Sequence, residues 1–205
     1  MDAWIWVVLG LIVVAVVAVM VMARVERRRR SEQRSERLRN QFGTEYDRVV
    51  HGKSRKERRA GEADLEQRQS RRDQLDIHPL APEVHDRYAR EWAQVQLGFV
   101  DEPERTVRSA ENLVEKVMAD RGYPVADDFE GHAALVSVDH PHLVANYRSA
   151  HGIYERSIRH EADTEQLRSA IVAYRGLFDE LLAEVAPAGE SVTAADSVTA
   201  SSPEG

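Results

Sequence analysis

The pattern of apolar and polar positions divides the 205-residue chain into four regimes. Over residues 3–23 (AWIWVVLGLIVVAVVAVMVMA) nothing is charged, and only Gly10 is not plainly apolar. A helix of that length measures roughly 31 Å, close to the hydrocarbon thickness of a bilayer. Valine favours strands in water, but a lone segment in lipid satisfies its amides only as a helix, so the run predicts a transmembrane helix. Residues 24–76 are polar on nearly all sides. Leu38, Phe42, Tyr46 and Val49 form one short stripe, and 53–59 has none, which predicts a charged helical stalk with little to bury. A coiled coil is the alternative, but its a and d positions are not sustained. Gly43, Gly52 and Gly61 predict breaks in that helix.

Helical periodicity returns after DIHPLAP (76–82), whose two prolines end the stalk. Pro82 opens a helix with Val84, Tyr88, Trp92 (or Val95) and Phe99 on one face. Asp101 and Glu104 suggest a capping box for a second helix, striped by Val107, Ala110, Val114, Val117 and Met118 and stopped at Arg121 and Gly122. Tyr123, Pro124 and Val125 form an extended connection, and Asp127 and Asp128 lead a brief helix through Phe129, Ala133 and Val136. Asp139 is expected to cap a further helix along Leu143, Tyr147, Ala150, Tyr154 and Ile158, with Pro141 in its first turn. Asp163, or Thr164, caps the last, along Leu167, Ile171, Tyr174, Phe178 and Leu181. No strand-like alternation occurs, so 77–185 is expected to be a compact all-α bundle. Residues 186–205 are small and polar and are expected to be a disordered tail.

Charge changes this picture by orienting it. Arg24, Arg27, Arg28, Arg29 and Arg30 follow the apolar run, while only Asp2 precedes it. Positive charge stays cytoplasmic, so the expected topology is N-terminus outside and the later residues in the cytoplasm, at an inner or plasma membrane. A cleaved signal peptide would need a basic start and a shorter core. Trp4 and Trp6 would sit at the outer interface as anchors. The net charge of −7 conceals 14 basic and 6 acidic residues in 24–59, against 14 basic and 28 acidic in 60–205. The arginine cluster sets topology and attracts anionic headgroups. The acidic remainder, and the lack of aromatic residues among the arginines, argue against nucleic acid as its partner.

Chemistry adds little. The absence of cysteine excludes disulfides, thiolate metal sites and cysteine nucleophiles. His140 and His142, with Asp139, are the one candidate metal or catalytic group, although no two histidines have the i, i+3 or i, i+4 spacing of helical ligands. Carboxylate pairs such as Glu111 and Glu115 read as a solvated face, and no glycine-rich phosphate loop is present. No cofactor is expected. Trp92, slightly off its stripe, and Tyr123 are candidate partner contacts. The lone Gly10 gives no GxxxG pairing motif to the apolar run.

The succession LRNQFGTEYDRVV, LDIHPLAPEVHDRYAREWAQVQLGFVDEP, VMADRGYPV, VDHPHLVANYR and YRGLFDELL, behind an apolar run and an arginine cluster, resembles a family of uncharacterised single-pass bacterial membrane proteins. The resemblance covers most of residues 38–182. It implies a helical domain on a tether and transfers no catalytic residue. The expectation is a membrane-tethered cytoplasmic interaction or scaffold module. The alternatives are an enzyme or metal-binding domain using His140 and His142, and an envelope-organising protein that binds anionic lipid.

Overall fold

A computed structural model describes residues 3–124 and 128–183. Its regular elements are helices: α1 (Ala3–Phe42), α2 (Thr44–Val50), α3 (Arg55–Arg72), α4 (Pro82–Leu97), α5 (Pro103–Asp120), α6 (Phe129–Asp139), α7 (Val144–Ile158) and α8 (Thr164–Leu182). No β-strand occurs among the described residues, in keeping with the all-α expectation. The expected tail, 186–205, lies outside them. Two compact units divide between Gln67 and Arg68, inside α3 and ahead of the boundary expected at 76.

In the first unit α1 is continuous from the apolar run into the arginine cluster. Among the described residues no helix is long and apolar enough to cross a membrane. The side chains of residues 3, 5–10 and 12–15, Trp6 included, lie outside the description. Trp4 is exposed, as are Arg24, Arg27, Arg28, Arg29 and Arg30.

The stretch read as a stalk with little to bury instead folds back on itself. Gly43 (φ 50°) and Gly52 (φ 70°) take left-handed turns at which a β-carbon is disfavoured. Between and beside these corners, Leu38 and Phe42 of α1, Tyr46, Val49 and Val50 of α2 and Leu65 of α3 are all buried. Gly61 does not break α3. A β-carbon there would stand 2.8 Å from Val49 Cγ1 and 3.1 Å from Val50 Cγ1, so the glycine lets α3 approach α2. Polar ties complete the hairpin. Glu62 Oε1 accepts from Ser35 Oγ (2.6 Å) and Tyr46 Oη (3.0 Å), and Arg34 Nη2 donates to Glu66 (2.6 Å).

The second unit is a bundle centred on α5 and α8. Val107, Ala110, Val114 and Val117 of α5 meet Tyr174, Leu177, Phe178 and Leu181 of α8, with Tyr147 and Ala150 of α7 beside them. Helix starts follow the sequence in part. Pro82 stands in the first turn of α4, and Asp128 caps α6 by accepting from the Gly131 amide. Asp163 and Gln166 form a full capping box on α8.

Two expected caps fail. α5 starts at Pro103 behind Glu102, so no Asp101–Glu104 box forms, and Asp139 is the last residue of α6 while α7 begins behind Leu143. Packed on α8 and α5, α7 buries Val144, Tyr147, Ala150 and Ile153, leaving Tyr154 half-buried and Ile158 exposed.

One loop ties the bundle's entry to its centre. Gly122 (φ 96°) turns the chain after α5, and a β-carbon there would lie 2.1 Å from the Asp76 carbonyl oxygen. The His78 amide donates to the Arg121 carbonyl (3.0 Å), and buried Arg121 donates to Leu181 O (2.8 Å). The last carbonyls of α8 thereby gain a cation, the charge favoured at a helix C-terminus.

Candidate groove between α4 and α8

An open groove of about 340 Å³ lies between α4 and α8. Its floor is the Trp92–Phe178 pair, stacked with ring centroids 4.6 Å apart. Ala89 and Ala93 line the α4 wall, and their small side chains keep the groove open. Arg175 closes the α8 side. Its Nε donates to both oxygens of Asp179 (2.8 and 2.7 Å), its Nη1 to Gln96 Oε1 (2.9 Å), and its guanidinium stands 6.0 Å from the Trp92 ring centroid. Trp92 is only 2 % exposed, and its indole N–H finds no acceptor among the described residues. A buried donor left unpaired costs about 1–3 kcal/mol.

A second polar group lies inside the bundle. Glu111 of α5 is 2 % exposed, and its Oε1 stands 2.9 Å from His151 Nδ1 of α7. The His151 ring stacks on Phe129 (centroids 3.6 Å, interplanar angle 5°). Glu111 Oε2 and the hydroxyls of Tyr147 and Tyr174 are buried without a partner among the described residues. Burial pushes the Glu111 carboxyl above the usual carboxylate range, and the His151 bond opposes the shift. Burial likewise raises the Tyr147 phenol. This is an acid–base pair whose carboxylate is buried and whose histidine is half-buried, and neither residue lines the groove. Its parts lie 40 residues apart, so no local spacing announces it.

The residues singled out in the sequence go to separate places. Both Asp139 oxygens are engaged, one by Arg72 Nε (2.6 Å) and the other by Tyr123 Oη (2.7 Å). His140 is half-buried with Nδ1 3.7 Å from Glu180, and burial holds its pKa below the usual histidine value; His142 is exposed. Among the described residues no three such side chains are grouped to hold a metal ion. Tyr123 is 3 % exposed, so its ring and hydroxyl face the protein interior and offer no surface contact. Trp92 reaches the outside only as the floor of the groove. Comparison with protein-family models, curated proteins and solved structures finds no match.

Proposed function

We propose that the chain is a single-span membrane protein whose helical bundle is a protein-binding module held in the cytoplasm, like the single-pass bacterial proteins it resembles. The anchor is supported by the uncharged run 3–23 and by the exposed Arg24, Arg27, Arg28, Arg29 and Arg30 that follow it on the same helix. An arginine at the bilayer centre costs about 3 kcal/mol on the insertion scale, so five of them hold the chain on the side where they start. Near anionic headgroups each also contributes about 1 kcal/mol, so lipid attraction belongs to the anchor and needs no separate function.

The observation that carries binding rather than catalysis is the groove. It is lined by small and apolar side chains over the covered Trp92–Phe178 pair, while Asp139 and the Glu111–His151 pair lie elsewhere in the bundle. Its occupant is an extended segment of a cytoplasmic protein, which seats one apolar side chain against Ala89, Ala93 and the edge of the Trp92–Phe178 pair. The reading through His140 and His142 has no comparable observation in its favour.

The test places a photo-crosslinking residue at Gln96 in the full chain in membranes, with a second at exposed Glu155 as control. A discrete adduct at position 96, absent at 155 and lost in Ala93→Arg, is expected. Equal labelling at both positions, or an adduct indifferent to Ala93→Arg, rules out the groove. Protease added to intact cells should spare the bundle; digestion there overturns the topology.

A further inference from the structure

The chain leaves α8 at the edge of its own groove. Ala183, the C-cap of α8, lines the groove beside Leu182, and residues 184–205 continue from it. Toward the other end stands Arg175, whose Nη1 donates to Gln96 Oε1 (2.9 Å). The α8 wall between Arg175 and Ala183 is about 12 Å long, a distance that extended backbone covers in about four residues. Whatever follows Ala183 is therefore delivered to the groove ahead of any other molecule.

The composition of 184–205 (EVAPAGESVTAADSVTASSPEG) suits that space. It has no aromatic side chain, no Leu, Ile or Met and no base, and its apolar side chains larger than alanine, proline apart, are Val185, Val192 and Val198. Ala89 and Ala93 are exposed on the α4 wall, and a valine between small neighbours presents one compact apolar group to them. Val185 is only two residues beyond Ala183 and is spent in leaving the helix. Ala186–Gly189 (APAG) then has proline second and glycine fourth, the pattern of a tight chain reversal. A reversal there sends Ser191–Ala194 back along α8 with Val192 inside it, and Ser197–Ala200 repeats the same four residues.

Charge does not hold such a contact. Glu184, Glu190, Asp196 and Glu204 are the ionisable side chains of the segment, and Arg175 is already bonded to Asp179. The contact is apolar, so salt, which screens charge repulsion, does not weaken it. Tethering supplies what contact area lacks. A short linker holds a segment at an effective concentration on the order of mM, so even mM affinity fills the groove about half the time. A free segment then binds more weakly in proportion to the fraction of groove left open.

We infer that residues 190–200 are an intramolecular occupant of the α4–α8 groove, seated through Val192 or its repeat Val198, which a partner's segment has to displace. The displacement rests on the partner-binding reading of the groove proposed above; the seating does not. The test places a photo-crosslinking residue at Gln96 in the full chain, purified in neutral detergent, and maps the adducts by mass spectrometry. An adduct within one chain, from position 96 to 190–200, is expected, with a yield that survives dilution and added salt. It should fall severalfold in V192E/V198E, a change outside α4 and α8 that leaves the melting temperature of the bundle unaltered.

No adduct to 190–200, or one indifferent to V192E/V198E, overturns the inference. So does an adduct lost on dilution, because a second copy would then be the occupant. In membranes V192E/V198E should strengthen the intermolecular adduct at position 96 about two- to tenfold, the gain expected when the groove is about half to nine-tenths filled by its own chain. An intermolecular adduct without the intramolecular one removes the internal occupant and keeps the partner site; the reverse removes the partner site and keeps the internal occupant.

Discussion

The hairpin of the first unit and the bundle of the second solve the same problem with different materials. The hairpin buries six apolar side chains and places Glu62, hydrogen-bonded to Ser35 and Tyr46, beside them. The bundle buries a continuous apolar core across α4 to α8; Arg121 and Glu111 reach partners inside it, while the hydroxyls of Tyr147 and Tyr174 find none among the described residues. A small core gains little from area alone, so helix contact there depends on close approach and specific bonds. In a larger core single side chains carry more.

The comparison can be broken at several points, beginning with the bundle. Phe178→Ala removes a fully buried ring from beneath Trp92 and should lower stability by about 4 kcal/mol, read by thermal unfolding, while enlarging the groove. A loss under about 1 kcal/mol would mean that the site collapses and that Trp92 is not held by stacking.

Gly122→Ala drives a β-carbon into the Asp76 carbonyl at a left-handed φ, so about 3 kcal/mol is expected. Proteolysis near 76–82 should then accelerate, because the His78–Arg121 bond goes with it.

In the hairpin, Gly61→Ala sharpens the contrast. Elsewhere in a helix the change stabilises by up to about 1 kcal/mol; here the methyl meets Val49, and a net loss of about 1 kcal/mol is expected. Pairing it with Val49→Ala should restore most of the loss, and failure to do so would place the strain elsewhere.

The smallest effects are in pH. Raised in the fold, the Glu111 pKa gives stability that is present below the usual carboxylate value and lost as pH rises through the folded one. Glu111→Gln should therefore flatten the melting temperature just above pH 4.5 and hold or raise it at neutral pH. His140 runs the other way. Its depressed pKa gives stability that is present above pH 6.5 and lost as pH falls through the folded value, and His140→Gln should remove that loss. Parallel pH profiles in wild type and both variants would show that neither group is linked to folding.

Much of the bundle was legible because periodicity is local. The stripes of α4, α5 and α8 and the Asp163 cap follow from spacings of three and four residues and from side chains that reach their own backbone. The buried stripe of α7 differs from the expected one because it is set by packing on α8 and α5, and Asp139 is not its cap because Arg72 and Tyr123 claim it. The groove was half visible: Trp92 stood out, but nothing near it in sequence names Phe178 or Arg175.

By itself the sequence determined helicity, the uncharged run, the arginine cluster and the split into basic and acidic halves, since each depends on neighbours along the chain. Only tertiary structure decided that the supposed stalk doubles back and that Gly61 is a contact and not a break. It alone brought Glu111 to His151 and matched Arg34, Arg37, Arg39 and Arg48 with acids. Those outcomes hinge on which distant groups arrive within about 3 Å, and a linear pattern holds no record of that.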